Sequence, residues 1–349
     1  MKQRVLPVLK RFFALLLCWF FTTNAPTAWA QTVANVPYRA YNIGTGSFES
    51  LTATSAEAVT ASTTTMGTAN TETWYVVNSN VTVSSRIEVL GTVNLILVDG
   101  KTLTAPKGIR VKSGVTLYIY GQNYGTGKVD AKGNNRGAGI GGNENESAGT
   151  IIIHGGTVKA EGDNQQSAAI GGGGNGNGGT VTIYGGNVEE KCPSSQGAGI
   201  GGGQRGKGGT VNIYGGNTTV TGGLGAAGIG GGWNGSGGTV NIFGGIVIAN
   251  KGNQQVAGQP ASQAIGRGEP FASNPGVGNV NIPSMKVFAS STASDPVASG
   301  NRESTCRSSY AKLVPCDPHT YENGHCKYCG VPITYTVHSH KCEGRKARV

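Results

Sequence analysis

A block of about thirty residues recurs through the middle of this chain. Thr150-Ile-Ile-Ile-His-Gly-Gly returns as Thr180-Val-Thr-Ile-Tyr-Gly-Gly, Thr210-Val-Asn-Ile-Tyr-Gly-Gly and Thr239-Val-Asn-Ile-Phe-Gly-Gly, at steps of 30, 30 and 29 residues. A second block precedes each: Gly137-Ala-Gly-Ile-Gly-Gly, Ser167-Ala-Ala-Ile-Gly-Gly, Gly197-Ala-Gly-Ile-Gly-Gly and Ala226-Ala-Gly-Ile-Gly-Gly. Degenerate copies flank the run at Thr116-Leu-Tyr-Ile-Tyr-Gly, Gln263-Ala-Ile-Gly and Asn279-Val-Asn-Ile-Pro. Self-similarity at this period marks a solenoid, in which each unit buries its apolar face only against its neighbours.

Within a unit the period is two. In Thr180–Tyr184, Val181 and Ile183 point one way, Thr182 and Tyr184 the other. Stacking then predicts one inward ladder of Ile151, Val181, Val211 and Val240, and a second of Ile153, Ile183, Ile213 and Ile242. Ile140, Ile170, Ile200 and Ile229 form a third wall, and Val158, Val188 and Val247 point to another strand after each Gly-Gly corner. Glycine supplies 60 of the 349 residues. That suits a chain that must turn sharply several times per coil without a helix. Proline is absent between 194 and 259, which keeps the ladders unbroken. A disordered Gly-rich linker has no reason to place Ile every thirty residues. From Trp74 to Gly121 further short strands alternate with turn signals and read as shorter N-terminal coils. The expected fold is all-β: a right-handed parallel β-helix of 29–30-residue Gly-rich coils, with a small Cys/His-rich C-terminal module.

Three motifs carry a resemblance: Ile87-Glu-Val-Leu-Gly-Thr-Val-Asn-Leu-Ile-Leu, Gly-Ala-Gly-Ile-Gly-Gly and Gly-Gly-Thr-Val-x-Ile-Tyr-Gly-Gly. On them, the segment from about Asn78 to Ile282 resembles the Gly-rich right-handed β-helix repeats of large bacterial surface proteins. Such proteins are similar in shape to pectin-lyase-like folds. The resemblance implies a role as an adhesin or glycan-binding module.

The first thirty residues read as a secretory signal peptide. Lys2, Arg4, Lys10 and Arg11 precede the apolar run Phe12–Phe21, and Ala28-Trp29-Ala30 gives a cleavage pattern before Gln31. Cys18 follows Leu17 and does not fit a lipoprotein site. No later run is long enough for a membrane helix. Losing the leader takes the formal net charge from +10 to about +6. That mild excess fits acidic glycans or an anionic envelope surface, or simply scattered surface charge. No dense basic run with interleaved aromatics points to nucleic acid. The expected location is the cell surface, the extracellular space or the periplasm. The domains read as 1–30 leader, 31–73 Thr/Ser/Ala-rich linker or N-terminal cap, 74–285 β-helix, 286–305 linker and 306–349 Cys/His-rich tail.

Several patterns imitate chemistry. Gly137, Gly139 and Gly142, and likewise Gly197, Gly199 and Gly202, spell G-x-G-x-x-G, but no helix follows to hold a pyrophosphate. The Gly-rich stretches lack the periodic Asp of calcium-binding repeats. Asp130, Glu161, Asp163, Glu189 and Glu190 fall near corresponding coil regions and would form a carboxylate cluster for polysaccharide chemistry, although they do not repeat in register. The Asp-Asp and Gly-His-Gly motifs of hydrolases with this shape are missing.

Two features remain. Tyr120, His154, Tyr184, Tyr214 and Phe243 share one outward position in successive coils, with Asn212, Asn241 and Thr182 two residues upstream. Aromatic faces suit the C–H face of sugars and amides suit their hydroxyls; the competing reading is a self-stabilising stack. The tail holds five cysteines between Cys306 and Cys342. Its core, Cys316-x2-His319-x6-Cys326-x2-Cys329, presents three thiolates and one imidazole, a tetrahedral zinc set. It resembles short Cys-x-x-His…Cys-x-x-Cys-Gly tails of other bacterial surface proteins. His325, His338, His340 and Cys342 are spare ligands. Disulfides compete, because an exported chain meets an oxidising compartment, and Cys192 is then a partner for the odd tail cysteine. The leading expectation is a non-enzymatic exported protein that binds polysaccharide or host-surface glycan, with zinc in its tail. The alternatives are a β-helix polysaccharide lyase or glycoside hydrolase, and a ligand-free spacer.

Overall fold

A computed structural model describes residues 31–329 apart from positions 193, 272–274, 291, 293–294, 298, 318, 320 and 323–324. The leader, Gly330, His338, His340 and Cys342 lie outside the described residues.

Each coil contributes one short strand to each of three parallel sheets. Sheet B takes the Ile-Gly pairs, such as Ile170–Gly171 and Ile200–Gly201. Sheet A takes the Thr-Val-x-Ile strands, such as Thr180–Ile183 and Thr210–Ile213. Sheet C takes the strand after the Gly-Gly corner, such as Thr157–Glu161 and Asn187–Lys191. The register is the one the repeat imposes: Ile151 over Val181 over Val211 over Val240, and Ile140 over Ile170 over Ile200 over Ile229. These side chains are 0–1% exposed and form one continuous core. Each fully buried Val or Ile is worth about 1.5–3 kcal/mol, an upper figure given a partly collapsed unfolded chain. The N-terminal coils are shorter, with Trp74 in register with Asn94 and Asn94 with Tyr118.

The Ile-Gly glycines are compelled. Gly171 has φ +136° and Gly201 φ +140°, values closed to residues with a Cβ. A Cβ on Gly201 would also lie 2.0 Å from the carbonyl oxygen of Gly230 in the next coil. Two inward sites of sheet C depart from the apolar rule. Thr218, 1% exposed, stands in the row of Val188 and Val247. Glu190 stands in the row of Ala160 and Val220 and is 3% exposed. Neither of its carboxyl oxygens has a hydrogen-bond partner, and burial pushes its carboxyl well above the usual carboxylate range.

Both ends of the stack depart from the expected boundaries. Residues 31–58 form a long antiparallel hairpin, β1 (Thr32–Asn42) and β2 (Ser47–Ala58), whose end pairs with Tyr75 and Val76 of sheet A. The first short strand of sheet B is already Thr65–Met66. At the other end, the segment expected as a linker from 286 opens with a strand, Met285–Phe288. Tyr310–Pro315 runs antiparallel between that strand and Ile246–Asn250, closing sheet C against the parallel grain of the helix. A short helix, Arg302–Cys306, packs here. Met285, Val287, Cys306, Ala311 and Leu313 join the main core. Apolar alternation in Tyr310–Pro315 makes it a better cover for the last coil than a free tail. Cys306 is therefore a core side chain, and the Cys/His module begins at Cys316.

Replacing Gly201 by Ala is expected to cost roughly 3 kcal/mol or more, from strained φ and a backbone clash. Gly276→Ala, where a Cβ meets nothing within 4 Å, should be near neutral. Urea denaturation of the two variants checks this; equal midpoints would refute the register.

Candidate functional site

Outward positions of sheet A form two adjacent rows. One runs Trp74, Asn94, Tyr118, Ile152, Thr182, Asn212, Asn241. The other contains the aromatic ladder. Ring centroids lie 4.8 Å apart for Tyr120–His154, 4.9 Å for His154–Tyr184, 5.0 Å for Tyr184–Tyr214 and 4.9 Å for Tyr214–Phe243, all stacked. Beside it, the Asn241 amide donates to Asn212 Oδ1 at 2.8 Å, and the Asn212 amide to Thr182 Oγ1 at 3.4 Å.

The hairpin lies across the N-terminal half of this face. Tyr38 packs on Tyr120 at 4.8 Å and on Trp74 at 5.0 Å, and Tyr41 stacks on Tyr184 at 4.9 Å. Arg39 N–H donates to the Gly121 carbonyl. Phe48 sits against Gly185, where a Cβ would come within 2.6 Å of its ring. Val36, Ala53 and Ala56 close over Val76, Ile96 and Tyr120 as a second apolar core. Tyr120 and His154 are consequently 7% exposed and do not face solvent as a sugar platform would require. Tyr214 and Phe243, at 36% and 40%, remain open. Both faces of Tyr214 are engaged, by Tyr184 and Phe243, whereas Phe243 ends the row and stacks on Tyr214 alone. Sequence reading missed the strap, although the signal was present. Trp74, Val76, Ile96 and Tyr118 are apolar or aromatic at outward positions, and such a run marks a strand covered on both faces.

His154 is the latch of that strap. Its ring is held between Tyr120 and Tyr184, and Nδ1 accepts the backbone N–H of Tyr41 at 2.9 Å. Burial lowers its pKa to about 4. Arg39 lines the same small cavity.

The five candidate carboxylates do not form one cluster. Asp163 is buried in a turn, its oxygens taking the N–H groups of Gln165, Gln166, Ser167 and Arg136. Glu190 points into the core. Asp130, Glu161 and Glu189 do share the outer face of sheet C, lining a depression of about 510 Å³ with Lys159 and Lys191. The carboxylates do not repeat coil over coil; each alternates with a lysine. Asp130, Lys159 and Glu189 form one row, and Lys132, Glu161 and Lys191 the next, so charge alternates along both. Lys159–Glu189 closes to 2.7 Å, Lys132–Glu161 to 3.1 Å and Lys128–Asp130 to 2.8 Å. The first two are cross-strand charge pairs; the third lies within one strand.

In the tail, Cys316 follows directly on the closing strand and is fixed by its N–H to the Ser284 carbonyl. Tyr321–Glu322 pairs antiparallel with His325–Cys326. The ligand atoms of Cys316, His319, Cys326 and Cys329 all fall within 4.8 Å of one another. Sγ of Cys316 and Cys326 are 3.3 Å apart, as are Cys329 Sγ and His319 Nδ1. Tetrahedral ligands at a Zn–S distance of about 2.3 Å would be about 3.8 Å apart, so small adjustments admit a metal ion such as zinc. Burial pushes the Cys326 thiol up. Donation from the N–H groups of Cys329 and Tyr328, and from His319 and Cys316, outweighs it and brings the thiol down to about 5. Burial and the neighbouring Cys326 and Cys329 sulfurs raise Cys316. His325 is exposed and outside the four. Cys192 and Cys306 are buried free thiols in the main core.

The G-x-G-x-x-G runs are the sheet B corners; among the described residues no helix follows either of them. No described helix is long and apolar enough to cross a membrane. Residues 124–144, 151–174, 177–204 and 211–233 match the Beta helix repeat family. With its three stacked parallel sheets, the chain is a parallel β-helix repeat protein carrying a C-terminal Cys3His cluster. Comparison with curated proteins and with solved structures gives no match.

The latch has a pH signature. An unfolded histidine takes up its proton near pH 6.5, whereas folded His154 does so near pH 4. Between those values the unfolded chain binds more protons, so the contribution is complete above about pH 6.5 and is lost as pH falls toward 4. Thermal melts from pH 7 to 4 should fall less steeply for His154→Phe than for the native chain. Parallel curves would remove His154 from the account of acid sensitivity.

Proposed function

We propose that this chain is an exported, non-enzymatic envelope or surface protein that binds carbohydrate on the open C-terminal half of sheet A. The observation that carries this reading is the uncovered end of the ladder. Tyr214 and Phe243 run beside Asn212 and Asn241, with aromatic rings and amides repeating at the spacing of the coils. A polysaccharide laid along the stack meets apolar and hydrogen-bonding groups alternately. The leader-like first thirty residues support export. Each surface carboxylate on sheet C is engaged by a lysine, which supports a non-catalytic role. A glycan-array profile of the chain from residue 31 should show binding that falls at least about tenfold in a Tyr214→Ala/Phe243→Ala variant of unchanged melting temperature. Equal binding by both removes the ladder from recognition, and new reducing ends from polyuronides would establish the enzymatic reading.

The tail supports a second, structural assignment. Cys316, His319, Cys326 and Cys329 would hold one zinc ion as a closed site with no open coordination position. Chelation of reduced protein should release about one zinc per chain. The main unfolding transition should persist, because the three cysteines form a cluster separate from the β-helix core. A Cys326–Cys329 disulfide in the native protein, found by mass spectrometry, would contradict the site.

A further inference from the structure

Within the ladder the rings engage one another's faces, and even the last, Phe243, has one face on Tyr214. One aromatic on this side of the molecule stacks on no other ring of the described residues. Tyr124, in the loop after Thr116–Tyr120, is 84% exposed, so nearly all of both ring faces is in water. It stands over a groove of about 300 Å³ between the hairpin and its own loop. That size lies at the lower end of the roughly 300–1,000 Å³ of small-ligand sites.

The groove is held rigidly. Gln122 bridges its two sides: its amide donates to the Pro37 carbonyl at 2.8 Å, and its Oε1 accepts the Asp99 N–H at 3.1 Å. Asp99 in turn accepts the N–H groups of Tyr124 at 3.0 Å and Thr126 at 2.9 Å, fixing the loop that carries the ring. Arg39 N–H to the Gly121 carbonyl ties the loop's base to β1. A site built this way loses little entropy when it binds.

We propose that this groove is a second saccharide site, one that takes a single uncharged hexopyranose unit on the face of Tyr124. It deepens the carbohydrate reading but names a different place on the molecule, so the two can fail separately. The ring face supplies the surface for sugar C–H groups. Asn123, Gln122 and Thr52 supply neutral hydrogen-bonding groups around it. Asp99 is the one charged residue lining the groove, and it is acidic. It can still accept from a sugar hydroxyl, but it opposes a uronate by like charge. Tyr38 forms part of the wall and is itself packed on Trp74 and Tyr120. The site therefore exists only while the hairpin lies on the coils.

The test is titration calorimetry of the chain from residue 31 with cello-, malto- and chito-oligosaccharides and with oligogalacturonate. Four proteins are compared: native, Tyr124→Ala, Tyr124→Phe and Tyr214→Ala/Phe243→Ala. The expected result is binding of at least one uncharged oligosaccharide, weakened about tenfold or more in Tyr124→Ala. It should be kept in Tyr124→Phe and in the ladder variant. Tyr124 is too exposed for its loss to unfold the chain, and an unchanged melting temperature verifies that. Full binding by Tyr124→Ala, with loss in the ladder variant, overturns this site while leaving the ladder reading in place. Preference for oligogalacturonate, or no binding by the native chain, also overturns it.

Discussion

Coil-to-coil backbone hydrogen bonding is the constraint on which everything else rests. Parallel strands about 4.8 Å apart force equivalent residues of successive coils to lie directly over one another. A thirty-residue period in sequence becomes a column of identical side chains in space. Inward columns are the core. Outward columns become whatever the repeated residue is: a stack of rings at 4.8–5.0 Å, a chain of amides, or an alternation of Asp, Lys and Glu. The Ile-Gly corners make this possible, because a Cβ there would collide with the coil above.

A stack with this property must be stopped, since its open edges would pair with other strands. The chain closes its two ends differently. At the start, β1 and β2 fold over the outer face of sheet A and pair with its first coils, adding the second apolar core around Val36, Ile96 and Tyr120. At the end, Tyr310–Pro315 enters sheet C antiparallel, and the helix ending in Cys306 fills the core beside it. Both devices also shape function. The hairpin divides the aromatic face into a covered and an open half and forms one wall of the Tyr124 groove. The closing strand delivers Cys316 to the metal-type cluster.

Much of this was legible in the sequence, because the repeat states the register outright. The columns of Ile151, Ile153 and Ile140, the outward ladder and the Cys3His spacing all follow from counting residues. What could not be read arose from contacts between segments far apart in the chain. Nothing local to Thr32–Ala58 says that it lies on Tyr120 and His154; the hint was the apolar character of Val76 and Ile96 at outward positions. Nothing in Tyr310–Pro315 announces an antiparallel entry into a parallel sheet. The pairing of Asp130, Lys159 and Glu189 follows the same period, 29 and 30 residues apart, but the outward residue changes type from coil to coil, so no repeated side chain marks the column.

The most direct test of this arrangement is the reactivity of individual tyrosines toward a solvent-borne acylating or iodinating reagent, read by mass spectrometry of the native chain. Tyr124 and Tyr214 should be modified early. Tyr120, 7% exposed and donating its hydroxyl to Asn94 Oδ1 at 3.2 Å, should be spared until the protein unfolds. Equal modification of Tyr120 and Tyr214 would mean that the hairpin does not lie on the ladder, and with it would fall both the closed half of the face and the groove beside it.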